Sequence, residues 1–409
     1  MRTPSGYKEY LIVMGLFKAE LFFSIAALFG FVYLGSESSS IYIVLMTSVG
    51  ILNIGFGLLE IIRSKRIKIK EMALLFGFPV FVLISFIVGR ISNGSAIALQ
   101  QRQFNSFLAF SLPSLFIGMY IARKNIDLFI PVCLIMVLIT AGSISSILIP
   151  FLLGSGFTVM GGASYQTASY YTSFAFGLNL YILVHKKKHL KFVPKRFPAI
   201  SIVQILLLML QAIMVIIPGG RGAFVLMITY LFFVAFRFAN KRNVLNIIYT
   251  IVIFAISLIS LQQLFPHLMN NSIFQSGFNR ATAFIGQGGA LNWEGSSGRL
   301  PIYLESIEVF KESPIIGYGL YGYLNKISYG GYPHNFFLEV LLQGGLIYLS
   351  IWIVFIWFIF KKLYLLIKVD ERNWIILYIG LYPAIMLMFS GSYLTAGFFW
   401  LFVSYLAIV

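Results

Sequence analysis

Apolar runs about twenty residues long follow one another along this chain, and that spacing leaves few folds open. A hydrocarbon core about 30 Å thick is crossed by roughly 20 helical residues. A window of that length marks about twelve spans, near 10–34, 40–62, 72–92, 104–122, 127–153, 166–184, 197–217, 221–237, 244–262, 335–360, 373–390 and 394–409. Hydrophobic residues make up 59% of the 409 and charged residues 11%, too few charges to cover a water-soluble globule. The expected fold is therefore an all-α, polytopic integral membrane helical bundle. The first run lacks the short apolar core and A-x-A site of a secretory signal and reads as a retained span. A single cysteine, Cys133, excludes a disulfide framework and any cysteine-based metal site.

The net charge of +17 would suggest nucleic acid on a soluble protein, but its distribution is topological. Lys and Arg crowd alternate connections: Arg63 to Lys70, Arg123 and Lys124, Lys186 to Arg196, Arg237 to Arg242, and Lys361 to Arg372. The intervening connections hold only Arg90, Arg102, Arg221, Arg280, Arg299, Lys311 and Lys326. Such asymmetry puts both termini and the basic loops in the cytoplasm. No nucleic-acid partner is expected; membrane lipid is. Three regions follow: helices 1–9 within residues 1–262, a large extracytoplasmic loop at 263–334, and helices 10–12 within 335–409.

That loop carries Trp293, Tyr303, Tyr318, Tyr321, Tyr323, Tyr329 and Tyr332, too aromatic for a disordered tether. Residues 300–312 (LPIYLESIEVFKE) read as a short amphipathic helix, with Pro301 in its first turn and Tyr303, Ile307 and Phe310 on one face. It is expected to lie on the outer membrane surface or over the mouth of the bundle.

Three outer-face ionisable residues precede or open helices: Arg221 after Pro218-Gly219-Gly220, Arg299 after Ser297-Gly298, and His334 after Tyr332-Pro333. Free N–H groups and the helix dipole favour an anion there, and guanidinium suits a phosphate or diphosphate. Near a positive helix end and arginines, His334 should stay neutral, fit to act as a general base. The plain alternative is a set of snorkelling anchors and a capping histidine. Glu339, inside a span, should face protein or water, with Asn335 a turn earlier as a partner. Asn335, Glu339, Tyr303 and Arg280 are supporting candidates. The only aspartates, Asp127 and Asp370, fall on the cytoplasmic side, and no paired-carboxylate motif or phosphate-binding loop occurs. No metal and no cofactor is expected.

At these residues the chain resembles the O-antigen polymerase and O-antigen ligase superfamily of polytopic bacterial membrane proteins. PGGRGAFVLMI is similar to the family's arginine at the outer start of a span. SSGRLPIYLESIEVFKESPIIGYG resembles its loop helix, with an arginine before it and Ser-Pro then Gly-x-Gly after it. HNFFLEVLLQGGLIY matches a ligase-type pattern through His334, Asn335, Gly345 and Tyr348. The paired R-x₁₀-G motifs of some polymerases are not present: Phe232 and Phe310 stand where glycine would.

The resemblance implies a membrane glycosyltransferase of the GT-C type. Its donor would be an oligosaccharide on undecaprenyl diphosphate, with Arg221 and Arg299 on the diphosphate and His334 as base. It further implies the bacterial cytoplasmic membrane, a site facing the periplasm, and a chain-length regulator and flippase of the same pathway as partners. Polymerase is the first expectation, because polymerases outnumber ligases. A ligase acting on lipid A–core, or a lipid-linked oligosaccharide flippase, is the alternative.

Overall fold

The computed structural model describes residues 7–31, 40–64, 67–92, 97–155, 160–189, 198–239, 271–283, 299–329 and 331–409. Among them the chain is helical, without a strand. Its long helices are α1 (Glu9–Leu28), α2 (Ser40–Ser64), α3 (Ile69–Ile91), α4 (Gln100–Lys124) and α5 (Phe129–Leu152). Then come α6 (Tyr165–His189), α7 (Pro198–Ile216), α8 (Arg221–Ala239), α9 (Ser272–Thr282) and α10 (Arg299–Glu312). The chain ends with α11 (Phe336–Val369), α12 (Glu371–Phe389) and α13 (Gly397–Ile408). Seven of these are long and apolar enough to cross a membrane, and α7, α8 and α13 hold shorter apolar stretches. The protein is an all-α polytopic membrane protein. The expected span 244–262 lies outside the described residues.

Two compact units divide the chain. The first takes residues 1–18, 43–131 and 290–409. Its interior helices meet where side chains are smallest: a Cβ on Gly118 of α4 would lie 1.9 Å from the Ser404 hydroxyl of α13, and one on Gly57 of α2 would strike Phe116. Lys18 is buried with its ammonium on the carbonyls of Met46 (2.8 Å) and Ala109 (2.6 Å). Glu71 and Arg123 form an ion pair at 2.6 Å. Isoleucines 84, 87, 347 and 351 and their neighbours on α3 and α11 stay exposed, the pattern of lipid-facing helices.

The second unit takes residues 19–42 and 132–289. Helix α6 is rich in Ser, Thr, Asn and Tyr, yet its residues 168–182 are buried. Those groups bond across helices: Ser143 with Thr172 (2.8 Å), Ser173 with the Ala223 carbonyl (2.9 Å), Asn179 with Gln211 (3.1 Å), and Gln211 with Thr140 (2.7 Å). In an apolar surrounding such bonds hold helices that water would not press together.

The loop drawn at 263–334 is divided: α9 belongs to the second unit, and residues 299–334 belong to the first.

Candidate functional site

Helix α11 starts at a built cap. Asn335 adopts extended backbone angles, and its side-chain oxygen accepts from the N–H groups of Phe337 (3.0 Å) and Leu338 (3.2 Å). Immediately before it, His334 has φ of +52°, a left-handed conformation that costs about 1–2 kcal/mol in an ordinary residue. The imidazole lies against the Tyr332 ring, centroids 4.5 Å apart. Its Nδ1 is buried and bonds to nothing among the described residues. Burial first, and the Arg299 guanidinium second, lower the His334 pKa below its ordinary 6.5. The ring is therefore neutral at pH 7, chiefly because it is desolvated and less because of arginine. Arg299 is the first residue of α10.

Two turns into α11 the helix breaks. Gly344 and Gly345 leave helical angles, Gly345 at φ +61°, ψ −159°. A helix broken within a membrane frees backbone groups that must find partners. Segment 314–319 supplies them. The N–H groups of Tyr318 and Gly319 donate to the carbonyls of Leu342 (3.0 Å) and Gln343 (2.8 Å), and those of Leu346 and Ile347 donate to Pro314 (2.8 Å) and Ile315 (3.3 Å). The approach is so close that a Cβ on Gly317 would sit 2.5 Å from the Gly344 nitrogen. The Gly-x-Gly after Ser-Pro and the Gly of the histidine motif are thus two halves of one contact.

Just before the break, Glu339 and Gln343 head a buried polar chain. Glu339 Oε1 accepts from the Ser392 hydroxyl and from Gln343 Nε2 (3.2 Å). Tyr393 donates to Gln343 Oε1, and Tyr321 and Ser392 bond at 2.5 Å. Asn335 is not the partner of Glu339: its side chain is turned to the helix cap. Tyr321 and Tyr323 are fully buried, and burial, then the Glu339 carboxyl, push both phenols well above 10.

Segment 318–329 is also tied to α10. Glu305 accepts from Ser328 N and Oγ, Ser306 bonds Tyr329 (2.8 Å), Tyr318 donates to the Val309 carbonyl (2.9 Å), and Lys326 pairs with Glu312 (2.5 Å). The face that α10 buries is that of Ser306 and Val309; Ile307, expected on it, is exposed together with Leu304. The polar bonds to 318–329 select this face over the more apolar one. Tyr303 is partly buried and forms no hydrogen bond among the described residues.

In the second unit, α8 opens with Arg221, and Arg221 Nε donates to the Arg280 carbonyl at 2.8 Å. Glycine makes this possible: a Cβ on Gly277 of α9 would lie 2.4 Å from the Ile217 oxygen, so α9 rests directly on the turn before Arg221. Gly219 (φ +76°) turns the chain beside the Arg280 side chain, and the Gly220 N–H donates to Ser169 (3.3 Å). Arg280 extends over the Tyr165 ring, 5.7 Å from its centroid. Arg221 and Arg280 thus meet at one corner of this unit.

Sequence reasoning missed Gln343, Ser392 and Tyr393; a polar residue inside the apolar run before two glycines was the available signal. Trp293, Ser297, Gly298 and His267 lie outside the described residues. Among those described, no group of three His, Cys, Asp or Glu side chains could hold a metal ion.

Searches of curated proteins and of solved structures gave no match. Residues 204–353, which hold Arg221, Arg280, Arg299, His334 and Glu339, match the family model described as O-antigen ligase, a match over part of the chain that supports the resemblance to the O-antigen ligase and polymerase superfamily.

Proposed function

We propose that this protein is a surface-polysaccharide polymerase of GT-C type in the bacterial cytoplasmic membrane. It transfers a glycan from undecaprenyl diphosphate to a sugar hydroxyl of another lipid-linked repeat unit, at the face away from the cytoplasm. The observation that carries the reading is His334: a half-buried imidazole whose pKa is held below the ordinary 6.5 by burial first and by the Arg299 charge second.

With Nδ1 buried, Nε2 is the nitrogen that meets substrate. It removes the proton of the acceptor hydroxyl as that oxygen bonds to the anomeric carbon. The bond from that carbon to the diphosphate oxygen breaks on the opposite face, so the configuration inverts. The leaving diphosphate gains charge, which Arg221 and Arg299 stabilise as bidentate donors, with Arg280 in support. Aromatic side chains of the 299–334 segment stack on sugar rings and restrict water. No metal takes part. A chain-length regulator and a flippase of the same pathway are its expected partners.

The second reading is a ligase that caps lipid A–core, an activity that the matching family model carries in its description. Purified protein in liposomes with undecaprenyl-diphosphate repeat units separates the two. A ladder of lengthened glycans without added acceptor supports the polymerase. Transfer only when lipid A–core is supplied supports the ligase, and neither product refutes both.

A further inference from the structure

The hydrogen bond at one ring nitrogen of a histidine sets the state of the other, and here a residue in position to provide it, Glu339, is buried and incompletely bonded. His334 precedes the cap residue of α11, and Glu339 is the fourth residue after that cap. Side chains at these two positions pack against each other at helix starts, usually as an apolar pair. Here both are polar. Each keeps one buried atom without a partner among the described residues: Nδ1 of His334 and Oε2 of Glu339. Such atoms are uncommon, since a buried polar group without a partner is costly.

The other carboxyl oxygen is fully engaged. Ser392 and Gln343 both donate to Oε1. Because Tyr393 donates to Gln343 and Ser392 spends its proton on Glu339, Tyr393 receives from Tyr348 (3.2 Å) and Ser392 from Tyr321. The whole chain of donors converges on one oxygen and fixes which edge of the carboxyl faces elsewhere.

We propose that Glu339 is the positioning residue of His334, accepting the Nδ1 proton at Oε2 through one bridging water and so holding Nε2 unprotonated toward the acceptor hydroxyl. The inference rests on the reading of His334 as the base, but the state of the ring can be measured without turnover.

Glu339→Gln is the decisive variant. The two donors at Oε1 hold the amide oxygen of the new side chain, which turns its NH₂ toward His334. That NH₂ donates where the carboxylate accepted, and the imidazole moves its proton to Nε2. A wrong tautomer at a general base lowers kcat on the order of 10³–10⁴-fold, with the acceptor KM unchanged; Glu339→Asp should restore part of the rate.

Nitrogen NMR of ¹⁵N-histidine protein in liposomes reads the tautomer. The chain has four histidines, and the His334 signal is the one missing from His334→Gln. The expected result is Nδ1–H in the wild type and Nε2–H in Glu339→Gln. An unchanged tautomer, or a doubly protonated ring in the wild type at pH 7, overturns the proposal. The rival partner of Oε2 is the buried Tyr323 hydroxyl, which has no partner among the described residues; a tautomer that shifts in Tyr323→Phe and not in Glu339→Gln also overturns it. A shifted tautomer with full activity would instead leave the pairing intact and remove His334 as the base.

Discussion

Replacing Gly345 by alanine tests what holds the break in α11. At φ +61°, ψ −159° the position is essentially reserved for glycine, and another residue is strained there by about 1–3 kcal/mol. The new Cβ would lie 2.3 Å from both the carbonyl carbon and oxygen of Ile315. These are backbone atoms, so no rotamer change relieves the contact. Segment 314–316 must move, breaking the bonds from Leu346 to Pro314 and from Ile347 to Ile315. Each amide left unpaired away from water costs about 1–3 kcal/mol. The sum, about 3–9 kcal/mol, rivals the whole stability of a typical domain, about 5–15 kcal/mol. Thermal unfolding in detergent, followed by tryptophan fluorescence, should show a large loss of midpoint or no folded protein. Gly55→Ala in α2 is the control: its Cβ meets nothing within 4 Å, and stability should hold or rise by about 0.5–1 kcal/mol. A Gly345→Ala midpoint within about 2 °C of the wild type, equivalent to roughly 1 kcal/mol or less, would refute the reasoning.

Four further outcomes are expected. Activity should rise through an acid limb below pH 6.5 and level off by neutral pH, since burial and Arg299 depress the His334 pKa; Arg299→Gln removes one cause and should move the limb to higher pH. The same depression means the unfolded chain binds this proton more tightly, so native stability should fall as pH drops below about 6.5; a limb unmoved in Arg299→Gln contradicts the assignment. Arg221→Lys loses the Nε bond to the Arg280 carbonyl and the two-pronged donor, so the donor KM should rise ~10-fold or more, and wild-type kinetics would leave Arg221 as a membrane anchor. A chelator should leave turnover of the purified protein unchanged, and inhibition would contradict the metal-free mechanism.

The helices were legible because crossing lipid imposes a length and a composition that local sequence carries. Even α6, whose polar residues lower its hydropathy, forms a helix where residues 166–184 were marked, though it is not among the seven helices long and apolar enough to cross a membrane. The helix starts at Arg221, Arg299 and His334 were legible for a similar reason, since Pro, Gly and Asn punctuate them. What escaped was tertiary. The Glu339 partners, Gln343 and Ser392, lie 4 and 53 residues away, and no spacing rule selects Ser392 over Asn335. The buried face of α10 was misread because apolarity alone ranked Ile307 above Ser306, whereas bonds to Tyr329 and Ser328 decide the orientation. The glycines of 317–319 and 344–345 looked like separate punctuation; only backbone hydrogen bonds join them.

The most direct measurement is the initial rate of glycan transfer by purified His334→Ala, with undecaprenyl-diphosphate repeat units as substrate and folding checked by its unfolding midpoint. Loss of the general base should lower the rate by about 10²–10⁴-fold in a protein that still folds. A folded His334→Ala variant turning over within about twofold of the wild type would contradict the account.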